Sequence, residues 1–374
     1  MKDIIALRHK LHSYPELSNN EFETARCITS FIQKYSPDKT LFFGKTSLVF
    51  IFNSGKAGNT LMFRAELDAL PIIENNNTEY ISVNKGVAHL CGHDGHMAII
   101  AGLAARISQN RPKKGKVVLL FQAAEEVEQG AKDLVENTKF QKFKPDFIFA
   151  LHNVPEVEKN KIILKTGSFT AASKGMTIKL FGRTSHAGEP ENGISPAMAI
   201  SKIIKKLSEL ISNRSQFMDM TLLTIIHVLL GEIAFGTSPG YAEIRITLRS
   251  FENNDMILLT GSTERIIETI CKDEKLKHEI SYSEEFPATV NNNECVKLIK
   301  ESAKENNLQV ENIASPFRWS EDFGYYTQKY KGGFFGLGSG IDHPALHSSN
   351  YDFPDEIIET GINMFYTIYE KINF

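Results

Sequence analysis

The run Val87-Ala-His-Leu-Cys-Gly-His-Asp-Gly-His-Met97 places one thiol, three imidazoles and a carboxylate within eight residues. Thiolate and imidazole are the donors that hold zinc and neighbouring late transition ions, and a loop opened by glycines lets several of them converge. A buried thiol otherwise behaves as a small hydrophobe. The run alone therefore makes half of a metal site, and the rest of the chain must supply the other half.

Four further polar clusters sit just past the ends of expected strands: Arg64-Ala-Glu-Leu-Asp-Ala-Leu-Pro71, the pair Glu125 and Glu126, His152-Asn153, and His347 in Asp342-His-Pro-Ala-Leu-His-Ser-Ser. In open α/β sheets ligands bind at the carboxyl edge of the strands, so these clusters are expected to meet on one rim. Acids favour the first turn of a helix, which is the plain reading of Glu125 and Glu126. Beside Cys91 and His93 they suit metal chemistry instead: adjacent side chains point apart, so one can ligate while the other faces the attacking water as general base. Together with Cys91, His93 and one of these acids, His152 and His347 make five ligands. That is more than one tetrahedral zinc takes from protein and suits two metals sharing a water. Asp68 is either a turn acid before Pro71 or a carboxylate that orients a ligand. His186, in Gly182-Arg-Thr-Ser-His-Ala-Gly188, is a loop histidine or an oxyanion donor. Arg249 either grips a product carboxylate bidentately or makes a strand-end salt bridge.

The elements that must position these residues follow from apolar periodicity. Helices are expected over 2–13 and 20–35, then short buried strands at 47–52 and 60–65, a helix at 96–108, and strands at 116–123 and 146–151. Near-continuous apolar strands separated by helical sequence belong to mostly parallel sheets flanked by helices, so this region is α/β. From about Ala171 the order becomes strand 175–181, helix 194–212, strands 218–231 and 242–250, helix 255–271 and strand 277–284, the split β-α-β-β-α-β of a ferredoxin-like α+β domain. The α/β pattern resumes after Pro287 with a helix near 293–306, a strand at 333–338 and a helix at 354–371. A discontinuous catalytic domain, 1–170 and 287–374, is thus expected to carry an inserted domain at 171–286.

The net charge of -3, with Lys and Arg scattered, gives no electrostatic case for nucleic acid. Met1–Lys10 lacks the apolar core of a secretory signal and no later stretch offers the ~20 apolar residues of a membrane span, so a cytoplasmic protein away from membranes is expected. Cys27, Cys91, Cys271 and Cys295 show no framework spacing and read as free thiols.

Nearly end to end, the chain resembles the dinuclear metallopeptidase family of aminoacylases, hippurate hydrolases, N-acyl-amino-acid amidohydrolases and auxin-conjugate amidohydrolases. The resemblance rests on Arg8-His-Lys-Leu-His-Ser-Tyr-Pro-Glu-Leu, Arg64-Ala-Glu-Leu-Asp-Ala-Leu-Pro, Cys91-Gly-His-Asp-Gly-His, Phe121-Gln-Ala-Ala-Glu-Glu, Leu151-His-Asn, Gly182-Arg-Thr-Ser-His-Ala, Arg249-Ser-Phe, Glu321-Asp-Phe and Leu346-His. It implies a zinc-peptidase-like catalytic domain with metal ligation by Cys91, His93, Glu126, His152 and His347, and Glu125 as general acid/base. Two divalent ions are implied, with zinc, manganese, cobalt or nickel as candidates. It also implies a homodimer through the inserted domain, with His186 lending an oxyanion contact. Two departures stand out: Glu66 occupies a position where the family usually has Asp, and Phe235-Gly-Thr-Ser-Pro239 replaces Asn-x-Ile-Pro, so Gly236 has no amide to donate.

The function expected is hydrolysis of the amide bond of a small N-acyl amino acid, releasing a carboxylic acid and an amino acid. The alternatives are a dipeptidase or aminopeptidase of the same superfamily, which must accept a free amino terminus, and a metal-containing binding protein impaired in catalysis. Pure ligation would not require both Glu125 and Glu126, which argues against the last.

Overall fold

The computed structural model describes residues 1–373. Phe374, the end of the expected segment 287–374, lies outside the described residues. Two compact units emerge: Met1–Phe169 with Thr289–Pro316 and Glu321–Phe374, and Thr170–Ala288 with Phe317–Ser320.

In chain order the first unit opens with α1 (Lys2–Ser13), α2 (Phe22–Ile32), β1 (Lys39–Phe43), β2 (Ser47–Asn53), β3 (Thr60–Glu66), α3 (His93–Gln109), β4 (Lys116–Gln122), α4 (Gly130–Glu136), β5 (Phe147–Pro155), β6 (Ile162–Leu164) and β7 (Gly167–Thr170). The second unit contributes β8 (Ala172–Phe181), β9 (Ser185–His186), α5 (Ala197–Ser212), β10 (Thr221–Leu230), β11 (Thr237–Ser238), β12 (Tyr241–Ser250), α6 (Asn253–Asp273) and β13 (Lys277–Phe286). The chain then returns through β14 (Thr289–Asn291), α7 (Asn293–Glu305), β15 (Val310–Asn312), α8 (Gly324–Thr327), β16 (Lys331–Gly340) and α9 (Ile358–Asn373).

The first unit is built on an eight-stranded sheet in the order β1-β2-β4-β3-β5-β16-β6-β15. Its centre, β4-β3-β5-β16, is parallel throughout, and antiparallel pairs lie toward the edges. Every residue of β3 is buried, because apolar side chains on both faces meet cover. Helices α3 and α9 pack on each other and on β3. There Phe365 meets Phe63 with ring centroids 4.9 Å apart.

In the second unit the sheet order β10-β12-β8-β13 puts the first and third strands of the β-α-β-β-α-β order at the centre, all pairs antiparallel. Phe317–Ser320 belongs to this unit, a return that the contiguous segment 287–374 did not include. Backbone bonding explains it: the Ala171 N–H donates to the carbonyls of Phe317 and Trp319 at 3.0 and 3.1 Å.

Two differences from the sequence reading bear on function. Helix α3 starts at His93 rather than His96, because Gly92 in the left-handed region (φ 95°) turns the chain into the helix there. Strand β5 runs on to Pro155, so His152 lies inside the strand rather than past its end.

Helix α1 ends before Pro15 and buries Ile4, Leu7 and Leu11, but also His12, on its inner face. The His12 ring donates from Nδ1 to Asp94 in the first turn of α3 (2.9 Å) and from Nε2 to Glu74 (3.0 Å). Burial alone would depress its pKa; the hydrogen bond and charge of Asp94, with the bond to Glu74, override it and push the imidazole up from 6.5 to about 9. Asp94 is held well below the usual carboxylate range, because Arg8 and His12 outweigh its own burial.

A folded pKa above the unfolded one adds stability that is complete below the unfolded value and lost as pH rises through the folded one. Measured by urea unfolding, a rise from about pH 6 to about pH 10 should therefore cost the wild type roughly 3 kcal/mol more stability than it costs His12→Gln. Equal losses in the two proteins would remove this role from His12.

Candidate metal centre

Because β3, β4, β5 and β16 run parallel, their carboxyl ends share one edge of the sheet. Glu66 ends β3 and Asp68 follows it; Glu125 and Glu126 follow β4; His152 lies near the end of β5; His347 lies in the loop after β16. Ala124 at φ 53° and His347 at φ 65° sit in the left-handed region that residues with a Cβ rarely adopt. Between Cys91 and His93 a Cβ on Gly92 would come within 2.4 Å of Asn153 Oδ1, so only glycine fits that close turn.

The six residues that sequence placed on the first unit's rim as ligands or base come together. Donor atoms of Cys91, His93 and His152 lie within 4.8 Å of one another, as do those of Cys91, Glu126 and His347, and those of His93, Glu125 and Glu126. Cys91 Sγ is 3.4 Å from His152 Nε2. His93 Nε2 is 3.8 Å from Glu126 Oε1 and 3.9 Å from Glu125 Oε2, and His347 Nε2 is 3.9 Å from Glu126 Oε2. The nitrogen–oxygen separations are too long for hydrogen bonds. Two donors about 2.1 Å from one cation at the tetrahedral angle stand roughly 3.4 Å apart, close to these spacings. His93 Nε2 and Glu126 Oε1 are buried without a hydrogen-bond partner. Such atoms cost about 1–3 kcal/mol each unless something answers them, and a cation answers both.

Neighbouring groups fix the rings. His93 Nδ1–H donates to the Asp68 carbonyl at 2.8 Å, and His152 Nδ1–H to the Asn153 carbonyl at 2.8 Å. In each neutral ring this leaves Nε2 as the lone-pair nitrogen, the state a metal ligand needs. Asp68 thus orients His93 through its main chain, while its carboxylate takes the Glu126 N–H (2.9 Å) and the Ser18 hydroxyl (2.7 Å).

Several participants carried no assignment from sequence. His96 lies in the Cys/His run, yet its Nδ1 bonds Glu66 (2.7 Å) and its Nε2 bonds Asn153 Oδ1 (2.6 Å). Arg64, fully buried, pairs with Glu66, with Glu321 (2.9 Å) and with Asp322, and donates from Nε to Gln122 (3.0 Å). The acids of Arg64-Ala-Glu and Glu321-Asp-Phe were the available signal, since acids in otherwise apolar contexts need a cation.

The charge balance sets the protonation chemistry. Burial, then Glu321 and Glu126, push Glu125 well above the usual carboxylate range. Burial pushes Glu126 up to about 7 against the pull of His93. Burial, with Glu126 and Glu125 nearby, raises the Cys91 thiol, while burial and His96 depress His152. A thiol and two acids that hold protons so readily are a donor set that a dication suits.

His186 and Arg249 belong to the second unit. His186 is exposed on β9, where Nδ1 accepts the Gly188 N–H at 3.1 Å. Arg249 Nη1 donates to the Arg318 carbonyl (2.8 Å) and to Ser320 Oγ (3.1 Å), a structural engagement within that unit. Gly236 accepts the Ala187 N–H at 2.9 Å, and a Cβ there would meet nothing within 4 Å.

The profile of peptidase family M20/M25/M40 matches residues 62–371. The chain is 31% identical over 354 residues to a hippurate hydrolase of Campylobacter jejuni, covering 94% of this chain and 92% of that protein. It is 33% identical over 355 residues to an N-acetyl-L-cysteine deacetylase of Bacillus subtilis, covering 92% and 82%. Among solved structures, a Bacillus subtilis dinuclear metal-binding peptidase of the M20 family superimposes with a TM-score of 0.84 at 25% identity, covering 98% of this chain and 97% of that one.

Arg64 is the cation common to Glu66, Glu321 and Asp322, so its removal strands three buried carboxylates. Arg64→Met should lower unfolding stability by about 3–5 kcal/mol in denaturant titration. A loss below about 1 kcal/mol, the scale of an exposed pair, would contradict that role.

Proposed function

The chain belongs to peptidase family M20/M25/M40, and from that premise we propose that it is a metal-dependent amidohydrolase that cleaves the amide bond of N-acyl amino acids. The observation that carries this reading is Glu125, buried 3.9 Å from His93 Nε2 at the rim of the donor set. It is supported by resemblance to N-acyl amino acid hydrolases over nine-tenths of the chain.

Cys91, His93, Glu126, His152 and His347 would hold two divalent cations, with zinc, manganese, cobalt or nickel as candidates. Bound there, the cations supply Lewis acidity to the carbonyl oxygen, lower the pKa of water and draw Glu125 back toward its ionised form. Glu125 takes a proton from the attacking water as its oxygen bonds to the acyl carbon. It then returns that proton to the nitrogen as the carbon–nitrogen bond breaks, leaving a carboxylic acid and a free amino acid. Asp68 holds the Glu126 backbone and the His93 ring while this happens. We assign His186 to the oxyanion, while Arg249 keeps its bonds to Arg318 and Ser320. Free thiols at all four cysteines suit a reducing compartment, and we place the enzyme in the cytoplasm. No helix among the described residues is long and apolar enough to cross a membrane.

We also assign a homodimer through the second unit. Strand β10 is the edge of its sheet, ten residues long, and Ile226, Val228, Leu229 and Leu230 are exposed on it. A long apolar edge without proline is a template for pairing with another chain. Light scattering should give twice the 42.0 kDa chain mass. The double substitution Ile226→Lys and Val228→Lys should halve it, and a monomeric wild type ends this assignment.

With cations supplied, N-acetyl and N-benzoyl amino acids should be hydrolysed and unblocked dipeptides left intact. Glu125→Gln should lower kcat by on the order of 10²–10⁴-fold with metal content unchanged by mass spectrometry. Wild-type turnover in that variant would take the acid/base role away from Glu125.

A further inference from the structure

His347 is the ligand with the least secondary structure behind it: it lies seven residues beyond β16, and its side chain is half exposed. Its own backbone is tied to the Cys/His run by one bond, from the His347 N–H to the Leu90 carbonyl at 2.8 Å. The residues just after it are fastened more firmly. Tyr351 OH accepts from Asn153, Asn76 donates to the Tyr351 carbonyl (2.8 Å), and the Asn75 N–H donates to the Ser349 carbonyl (2.6 Å).

At the centre of this fastening is Arg8, a fully buried cation on α1. Its Nε donates to Asp94 at 2.7 Å, its Nη2 to Asp352, and its Nη1 to Asp355 at 3.3 Å. Asp94 follows His93 in the first turn of α3; Asp352 lies five residues past His347. Tyr80 adds a second hold on Asp352 through its hydroxyl (2.7 Å), and its ring lies under the Arg8 guanidinium at 4.9 Å. One guanidinium therefore joins the stretch of chain that carries Cys91 and His93 to the stretch that carries His347.

Resting on the ligand set proposed above, we infer that Arg8 is a positioning residue that, through Asp94 and Asp352, fixes the distance between the Cys91–His93 corner and His347 and so governs retention of the cation held by Cys91, Glu126 and His347. The planar fork makes this geometry possible, because each carboxylate meets a different nitrogen; a lysine offers one point of charge and cannot bridge the stretches in the same way. Groups that orient ligands typically change metal affinity by on the order of 10–100-fold when removed.

The test uses the full-length protein loaded with cobalt(II), read by its visible spectrum, by metal content and by the rate at which a chelator strips each ion. Wild type should hold two cobalt ions. Arg8→Lys and Asp352→Asn should each release one of them on the order of 10–100-fold faster while the other leaves at the wild-type rate. Asp352 is partly exposed, so its amide variant carries the test if Arg8→Lys does not fold. Phe365→Ala, which loosens the core of the same unit at Phe63 and Phe335, is the control: it should lower the melting temperature and leave both release rates alone. Wild-type release rates in Arg8→Lys and Asp352→Asn, or equal loosening of both ions in them, overturn the role of Arg8 alone. A wild type that binds no cobalt overturns the metal reading and this inference together.

Discussion

The physical constraint on which the first unit turns is an excess of buried negative charge at one edge of its sheet. Glu66, Asp68, Glu125, Glu321 and Asp322 are all buried, and Glu126 nearly so. Carboxylates taken out of water must be paired or protonated. Arg64 answers Glu66, Glu321 and Asp322 on the inner side. Its one charge does not balance them all, and Asp322 itself, Glu125, Glu126 and the Cys91 thiol are left with raised pKa values, burial being the first cause in each. The ligand set and the internal arginine are thus two halves of one electrostatic balance, in which the outer half is completed by the proposed cations.

That balance also separates the duties of two adjacent acids. Glu126 has its backbone N–H held by Asp68 and its carboxylate between His93 and His347. Glu125 instead stands beside Glu321 and Asp322, just after the left-handed residue Ala124. Like charge beside Glu125 makes it ready to accept a proton, and readiness to accept and return one is the requirement for acid/base work. A residue whose backbone is held and whose carboxylate stands between two imidazoles suits ligation, whereas one pressed by a neighbour of the same sign suits proton transfer.

The parts legible in the sequence are those whose chemistry lies in side chains at the ends of apolar runs. The runs Thr60–Ala65, Lys116–Gln122 and Phe147–Leu151 announce buried parallel strands through composition and length, and the polar residues after them announce a rim. Backbone work leaves no such trace. The orientation of His93 by the Asp68 carbonyl, and the return of Phe317–Ser320 to the second unit through the Ala171 N–H, depend on atoms that every residue shares. Short strands such as β1, β6 and β15 escape for a related reason: three to five residues carry too little periodicity to stand out. His96 escapes because its residue type matches the ligand pattern, and only tertiary structure shows it bonded to Glu66 and Asn153 instead.

The two departures from the family pattern now separate on physical grounds. Glu66 uses both oxygens at once, Oε1 toward Arg64 and Oε2 toward His96, and His96 passes the connection on to Asn153 and Tyr351. A side chain one methylene shorter would have to draw β3 closer or release one partner, so the residue here is set by close packing inside a charged network. Gly236 is in the opposite situation. Its φ is not in the left-handed region, no atom stands near where a Cβ would be, and its carbonyl bond to Ala187 is one that any residue could make. Packing within its unit therefore leaves that position free. A position that packing leaves free can change its side chain without disturbing the fold, whereas Glu66 cannot.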